Sequence, residues 1–83
     1  MHIQVRLGEP FWRAVGQRNL ALELDPGASV ASLIALLCRD YPPLAGELSE
    51  FPPHIFIDEA PAGETAALTR GAVVHLVWAV SGG

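Results

Sequence analysis

The segment AVVHLVWAV, residues 72–80, decides which fold this sequence predicts. It is the most apolar segment of the chain, and its side chains alternate between two faces that are both apolar. Apolar residues on both faces are typical of a strand inside a sheet. We therefore expect the last strand to lie in the middle of a sheet, beside the first strand. One face carries Val74, Leu76, Trp78 and Val80, and the other carries Val73, His75, Val77 and Ala79.

Three other segments show the period of two that indicates half-buried strands. Residues 8–18, which connect the first two of these strand segments, are too many for a tight hairpin. We expect a turn or short helix there, held to the core by Phe11, Trp12 or Val15. A very short edge strand is expected near residues 66–68. The three strand segments are HIQVRL at 2–7, NLALEL at 19–24 and HIFID at 54–58.

One helix is predicted between the second and third strands. Ser29 stands where an N-cap belongs, and residues 30–41 carry an apolar stripe at helical spacing. Pro42 and Pro43 end this helix, because neither can donate a backbone hydrogen bond. Residues 44–53 are expected to form a loop with at most one helical turn. The apolar stripe consists of Val30, Leu33, Ile34, Leu37 and Tyr41.

These elements predict an α+β fold with a single domain over residues 1–83. One helix can cover only one face of a sheet, so the expected architecture is a two-layer roll. It has a mixed sheet of four or five strands and one main helix packed on one face. The tail, residues 81–83, then follows directly from a strand that is anchored inside the sheet.

Composition limits the classes of function. The hydrophobic fraction of 51% is too high for a disordered chain, and the single cysteine, Cys38, excludes an internal disulfide or a cysteine-based metal site. The three histidines have no metal-ligand spacing. A net charge of −4 without a basic cluster argues against a nucleic acid partner. With neither a signal peptide nor an apolar run of about 20 residues, we expect a cytoplasmic protein without a membrane partner.

Several motifs of this chain resemble those of a known family almost end to end. DYPPL, residues 40–44, is similar to the segment that follows the helix in the ubiquitin-like sulfur carriers of the ThiS/MoaD group, and LTRGAVVHLVWAVSGG, residues 68–83, is similar to the closing segment of that group. The resemblance implies the β-grasp fold. The chain departs from the family at Arg70 and Ala72, which replace an acidic pair, and at Trp78-Ala79, which replaces Pro-Pro; IDEAPAG replaces Asn-Gly. The matching residues are Leu68, Gly71, Val74, Leu76, Val80, Gly82 and Gly83.

The resemblance also implies a function in which the terminal carboxylate, on Gly83, is the reacting group. A ubiquitin-activating-type enzyme would adenylate it with ATP, and sulfur transfer would give a thiocarboxylate for a sulfur-accepting synthase subunit. Ser81 and Gly82 would occupy a narrow channel of the enzyme, which suits glycine because it has no Cβ. The chain itself would be no enzyme and would bind no cofactor or metal. Molybdopterin synthesis is the first pathway expected, with cysteine, thiamin or another sulfur metabolite next.

A partner-binding face is expected on the side of the sheet away from the helix. Phe56, Val73 and Val77 should gather there, with Trp78 close to the tail, and apolar residues exposed on one face usually mark an interaction surface. The alternative is that they pack against loop residues such as Phe11 or Phe51. Two other functions fit the same tail: a ubiquitin-like modifier conjugated to lysines, and a plain interaction domain whose Gly-Gly is incidental.

Overall fold

The structure, a computed structural model, describes residues 1–78. Its strands form one five-stranded mixed sheet in the order β2-β1-β5-β3-β4. The helices pack on one face of this sheet, because their buried residues share a single core with the inward residues of the strands. In chain order the elements are β1 (His2–Leu7), α1 (Phe11–Val15), β2 (Asn19–Glu23), α2 (Val30–Asp40), α3 (Pro42–Glu50), β3 (His54–Ile57), β4 (Ala60–Ala62) and β5 (Val73–Val77).

Strand β5 lies in the middle of the sheet, as predicted. It pairs in parallel with β1 and antiparallel with β3. Its alternation is confirmed over β5: Val74 and Leu76 are fully buried, whereas Val73 and Val77 on the other face are half-buried and His75 is exposed. Trp78, predicted on the inward face, is exposed, and Ala79 and Val80 lie outside the described residues. The first and last described strands are therefore neighbours.

The core confirms the predicted stripe of α2. Val30, Leu33 and Leu37 are fully buried, and Ile34 is partly buried against them. The segment before β2 forms the expected short helix, α1, with Phe11 as its buried anchor. The largest fully buried side chains are Phe11, Ile3, Leu33, Leu37, Leu44, Leu76, Val5, Val30 and Val74.

Helix α2 begins at the predicted N-cap. The Ser29 hydroxyl accepts a hydrogen bond from the Ser32 N–H at 3.3 Å, and the Ser32 hydroxyl accepts one from the Ser29 N–H at 3.4 Å. This reciprocal arrangement satisfies two N–H groups that the first helical turn would otherwise leave unpaired. The helix ends at Asp40, before the two prolines.

Residues 42–50 are not a loop, and this prediction was wrong. They form α3, which begins at the same proline pair that ends α2. Proline is tolerated in the first helical turn because its missing N–H has no intrahelical acceptor there. Leu44 and Leu48 lie four residues apart on one face of α3 and are both buried.

The position predicted for the short edge strand was also wrong. That strand is β4, at Ala60–Ala62, while Ala67 makes only an isolated bridge with Ser29. A two-residue turn at Asp58 and Glu59 brings the chain back antiparallel to β3. Both turn residues have positive φ, 47° and 71°, as in the type I′ turns of hairpins.

Asp58 also ties this turn to the middle of the sheet. Its N–H donates to the Val73 carbonyl at 2.9 Å, and its Oδ1 accepts from the Val73 N–H at 3.0 Å. Asp58 is thus held in its left-handed conformation by two hydrogen bonds to the start of β5. Glu59, which has the larger φ angle of the two, is exposed.

Truncation of Leu33 tests the placement of α2. We expect Leu33→Ala to lower the free energy of unfolding by about 2–5 kcal/mol, because a fully buried leucine leaves a cavity when it is cut to alanine. Leu36→Ala on the same helix is the control, since Leu36 is only half-buried and lines a surface groove. Denaturant unfolding measures both, and equal losses would contradict this packing.

Replacement of Glu59 by glycine should stabilise the fold. A side chain in the left-handed region costs roughly 1–2 kcal/mol, and the added freedom of glycine in the unfolded chain offsets part of the gain. We expect a net gain of about 1 kcal/mol, seen as a Tm higher by roughly 4–8 °C. Glu64→Gly is the matched control, because Glu64 has no positive φ and loses the same charge. A rise for both variants would point to charge rather than backbone strain.

Candidate partner-binding face and carboxy-terminal segment

One face of the sheet is left uncovered by the helices, and we call it the open face. The strand registers place its residues on the side opposite the core. The partly buried apolar residues that pack on the core within residues 1–78 include none of Phe56, Val73 and Val77. The open face consists of His2, Gln4, Arg6, Asn19, Ala21, Glu23, His54, Phe56, Pro61, Val73, His75 and Val77.

The three apolar residues predicted for a partner interface do lie together on this face. Phe56 pairs directly with His75 across β3 and β5, and Val73 and Val77 flank His75 along β5. All three are half-buried. The alternative partners are placed elsewhere: Phe11 is fully buried in the core, and Phe51 packs against that core.

Trp78 lies apart from these three, at the point where the chain leaves β5. Its side chain is 41% exposed, and its ring meets that of Phe51 edge-on, with the centroids 4.8 Å apart and an interplanar angle of 62°. Phe51 follows α3 and packs on the core. An aromatic contact therefore anchors the first residue after the sheet. Ser81, Gly82 and Gly83, the predicted reacting segment, lie outside the described residues.

Gly8 brings the ends of β1 and β5 together beside Trp78. Its N–H donates to the Leu76 carbonyl at 2.9 Å. A Cβ on this residue would lie 3.2 Å from Cγ1 of Val77, which is closer than an ordinary contact. Gly8 begins the stretch for which the sequence predicted only a turn or short helix, and its packing role depends on the parallel pairing of the two strands.

A concavity of about 440 Å³ opens on the same face. Its lining combines two basic residues with two acidic ones around an apolar floor: Arg6, His75, Asp58, Glu59 and Val73. Periodicity had placed Asp58 at the end of the third predicted strand, and neither Glu59 nor Arg6 was predicted as a site residue. Alternation puts Arg6 and His75 on outward positions, but only the register makes them neighbours.

An ion pair marks the outer edge of the open face. His2 Nδ1 and Glu23 Oε1 are 2.8 Å apart, and this hydrogen bond holds the pKa of the Glu23 carboxyl below its ordinary value. Within residues 1–78 no group of three or more histidine, cysteine or acidic side chains could hold a metal ion. No helix in that range is long and apolar enough to cross a membrane.

Comparison with solved structures identifies the fold. SAMP1 from Haloferax volcanii superposes with a TM-score of 0.87 at 20% identity, over 100% of both chains. The putative molybdopterin converting factor subunit 1 from Pyrococcus furiosus gives 0.81 at 19% identity, over 96% of this chain and 99% of its own. The chain has the ubiquitin-like β-grasp fold. This confirms the predicted fold class.

A third similar structure is a complex. A chain of the complex of subunits 1 and 2 of the molybdopterin-converting factor from Helicobacter pylori 26695 gives a TM-score of 0.67 at 21% identity, over 100% of both chains. No protein-family model and no curated protein matches the sequence. These neighbours agree with the resemblance to ThiS/MoaD-type carriers, and at 19–21% identity they establish the fold.

Proposed function

We propose that this chain is a sulfur carrier, one domain over residues 1–83, that acts through the carboxylate of Gly83. The observation that carries the proposal is the position of β5, which lies inside a β-grasp sheet and leads in sequence to Ser81-Gly82-Gly83. Small proteins with this fold include one named as a modifier and one named as a molybdopterin converting factor subunit. A cytoplasmic, non-enzymatic carrier is the function that this combination favours.

The chemistry needs two partners and no catalytic group of this chain. A carboxylate is a poor electrophile until its oxygen becomes a good leaving group. A carboxylate oxygen of Gly83 would attack the α-phosphate of ATP, which releases pyrophosphate and leaves an acyl-adenylate. Hydrosulfide, supplied by the sulfur donor, would then attack the acyl carbon and displace AMP, and the product is a thiocarboxylate. ATP is thus the substrate of the partner enzyme, and the carrier itself holds no cofactor.

The geometry suits delivery of the carboxylate into a buried site on another protein. Five residues follow Trp78 in the sequence, and an extended chain covers about 3.3–3.6 Å per residue, so the carboxylate could lie roughly 17 Å from the anchor. Ser81 and Gly82 would occupy a channel of the adenylating enzyme. Glycine has no Cβ, so a narrow channel can hold its backbone closely.

The open face is proposed to dock both partners in turn. Phe56, Val73 and Val77 form its apolar part, and Trp78 adds an exposed ring near the tail. The adenylating enzyme would bind first and a sulfur-accepting synthase subunit second, so the two should compete. A similar fold occurs in a complex of the two subunits of a molybdopterin-converting factor. Molybdopterin synthesis is therefore the first pathway proposed, with cysteine, thiamin or another sulfur metabolite next.

A protein modifier is the second candidate. SAMP1, the small archaeal modifier protein 1, shares this fold over its whole length. A modifier would use the same adenylated Gly83, but the acceptor would be a lysine amine and the product an amide. A plain interaction domain, the third reading, would need no free Gly83 at all.

Intact-mass measurement separates the three functions. The chain is incubated with the purified ubiquitin-activating-type enzyme of the same genome, ATP and a sulfur donor. A carrier gains the mass difference between sulfur and oxygen. A modifier instead appears as covalent adducts on lysines of added acceptor proteins. An unchanged mass with no adducts would contradict both, and would leave the interaction domain.

Deletion of Gly83 tests the reacting group. The deletion moves the carboxylate back by about 3.5 Å, while a near-attack geometry requires the reacting atoms to lie about 3–3.5 Å apart. We expect ATP–pyrophosphate exchange by the activating enzyme to be lost and the Tm to stay unchanged, because the residue lies beyond β5. Exchange that continues at the wild-type rate would refute the proposal.

Charge introduced on the open face tests the docking surface. We expect the double change of Val73→Asp and Val77→Asp to weaken the complexes with both partners by about tenfold or more, a loss of about 1.4 kcal/mol. Folding should be retained, because these side chains face away from the core. Ala35→Asp, on the exposed side of α2, is the control. If titration calorimetry gives the same Kd for the double variant as for the wild-type chain, the interface lies elsewhere.

A further inference from the structure

The charges of the open face indicate the chemistry of the partner surface. Arg6 on β1 lies directly beside His75 on β5, and Phe56 on β3 lies on the other side of His75. These three residues form a continuous row across the middle of the sheet. The row combines a permanent cation, an imidazole and an aromatic ring in a chain whose net charge is −4.

Seven of the nine acidic residues lie outside the concavity that this row shares with Asp58 and Glu59. Glu23 is the one acidic residue within the strands of residues 1–78, on the edge strand β2, and it is paired with His2. Asp58 uses Oδ1 to accept the Val73 N–H. The nine acidic residues are Glu9, Glu23, Asp25, Asp40, Glu47, Glu50, Asp58, Glu59 and Glu64.

Arg6 is the one arginine on the open face, and within residues 1–78 it makes no salt bridge. In that range Arg13 pairs with Glu9 at 3.2 Å and Arg39 with Asp40 at 3.1 Å. Arg18 and Arg70 also make no salt bridge there, but neither lies in a strand of the sheet. The concavity lined by Arg6 also contains Asp58 and Glu59, yet neither carboxylate forms a salt bridge with Arg6. An exposed guanidinium presents a planar set of N–H donors that matches the two oxygens of a carboxylate.

We propose that the partner surface covering the open face is acidic opposite Arg6, and that an aspartate or glutamate of the partner enters the concavity and binds this guanidinium. Apolar side chains of the same partner would cover Phe56, Val73 and Val77. The inference rests on the proposed function, because the partner it describes is the enzyme that activates the tail.

Charge reversal at Arg6 tests this inference. The Kd of the chain for the purified ubiquitin-activating-type enzyme of the same genome is measured at low and high salt, alongside ATP–pyrophosphate exchange. We expect Arg6→Glu to weaken binding by about tenfold or more and Arg6→Gln to weaken it less. Wild-type binding should weaken as salt is raised, because surface charges are screened beyond about 10 Å at 0.1 M. The salt dependence should shrink in both variants.

Arg39→Glu is the matched control, because it reverses an exposed arginine on the helical side of the domain. Its Kd should stay within about twofold of wild type, since rim charges act locally. If Arg6→Glu fails to fold, Arg6→Gln carries the test. Equal Kd values for the Arg6 and Arg39 variants would overturn the inference. Tighter binding by Arg6→Glu would also overturn it, because the partner would then be basic and would face Asp58 and Glu59.

The same experiment separates this inference from the proposed function. Loss of binding by Arg6→Glu, in an enzyme that binds the wild-type chain without supporting exchange, would uphold the acidic partner surface and refute activation of Gly83. Normal exchange that is insensitive to Arg6 would uphold activation and overturn the acidic surface. No binding by the wild-type chain would overturn both.

Discussion

The central pairing of β5 is the constraint on which the rest of the domain depends. In the part of the chain that the structure describes, β1 pairs with β2 and β3 pairs with β4, and only β5 joins these two hairpins into one sheet. Its inward residues, Val74 and Leu76, are fully buried between the sheet and the helices. Because β1 and β5 are parallel and each has an antiparallel outer neighbour, β2 and β3 run in the same direction, and the chain between them must cross over the sheet. That crossing carries α2 and α3 onto one face and leaves the other face open.

The sequence predicted those features that depend on local pattern. Strand periodicity, the Ser29 cap and the stripe of α2 follow from nearest neighbours along the chain, and all are seen. The proline pair predicted only the end of α2, because the same two residues both end one helix and begin the next. The spacing of Leu44 and Leu48 was the available signal for α3. The turn between β3 and β4 was not predicted, because its two residues have positive φ although neither is a glycine.

The open face was only partly predictable, for a related reason. Alternation alone assigns Phe56, Val73 and Val77 to one side, and the structure places them there. The proximity of Arg6 to His75 depends on the register of two strands that lie far apart in sequence. No local pattern specifies such a register, and the burial of the opposite face fixes it, since a shift by one residue would turn Val74 and Leu76 outward. Packing of the core therefore determines that Arg6 and His75 are neighbours on the open face.

The anchoring of the strand end connects the fold to the energetics of the proposed activation. Hydrogen bonding at Gly8 and the contact of Trp78 with Phe51 hold the chain up to residue 78. Any freedom that the following five residues lose in a partner costs about 1–2 kcal/mol per residue, and glycine has the most to lose. The anchor at Trp78 limits this cost to the five residues that follow it. In the proposed activation, contacts of the partner with the open face would have to offset that cost.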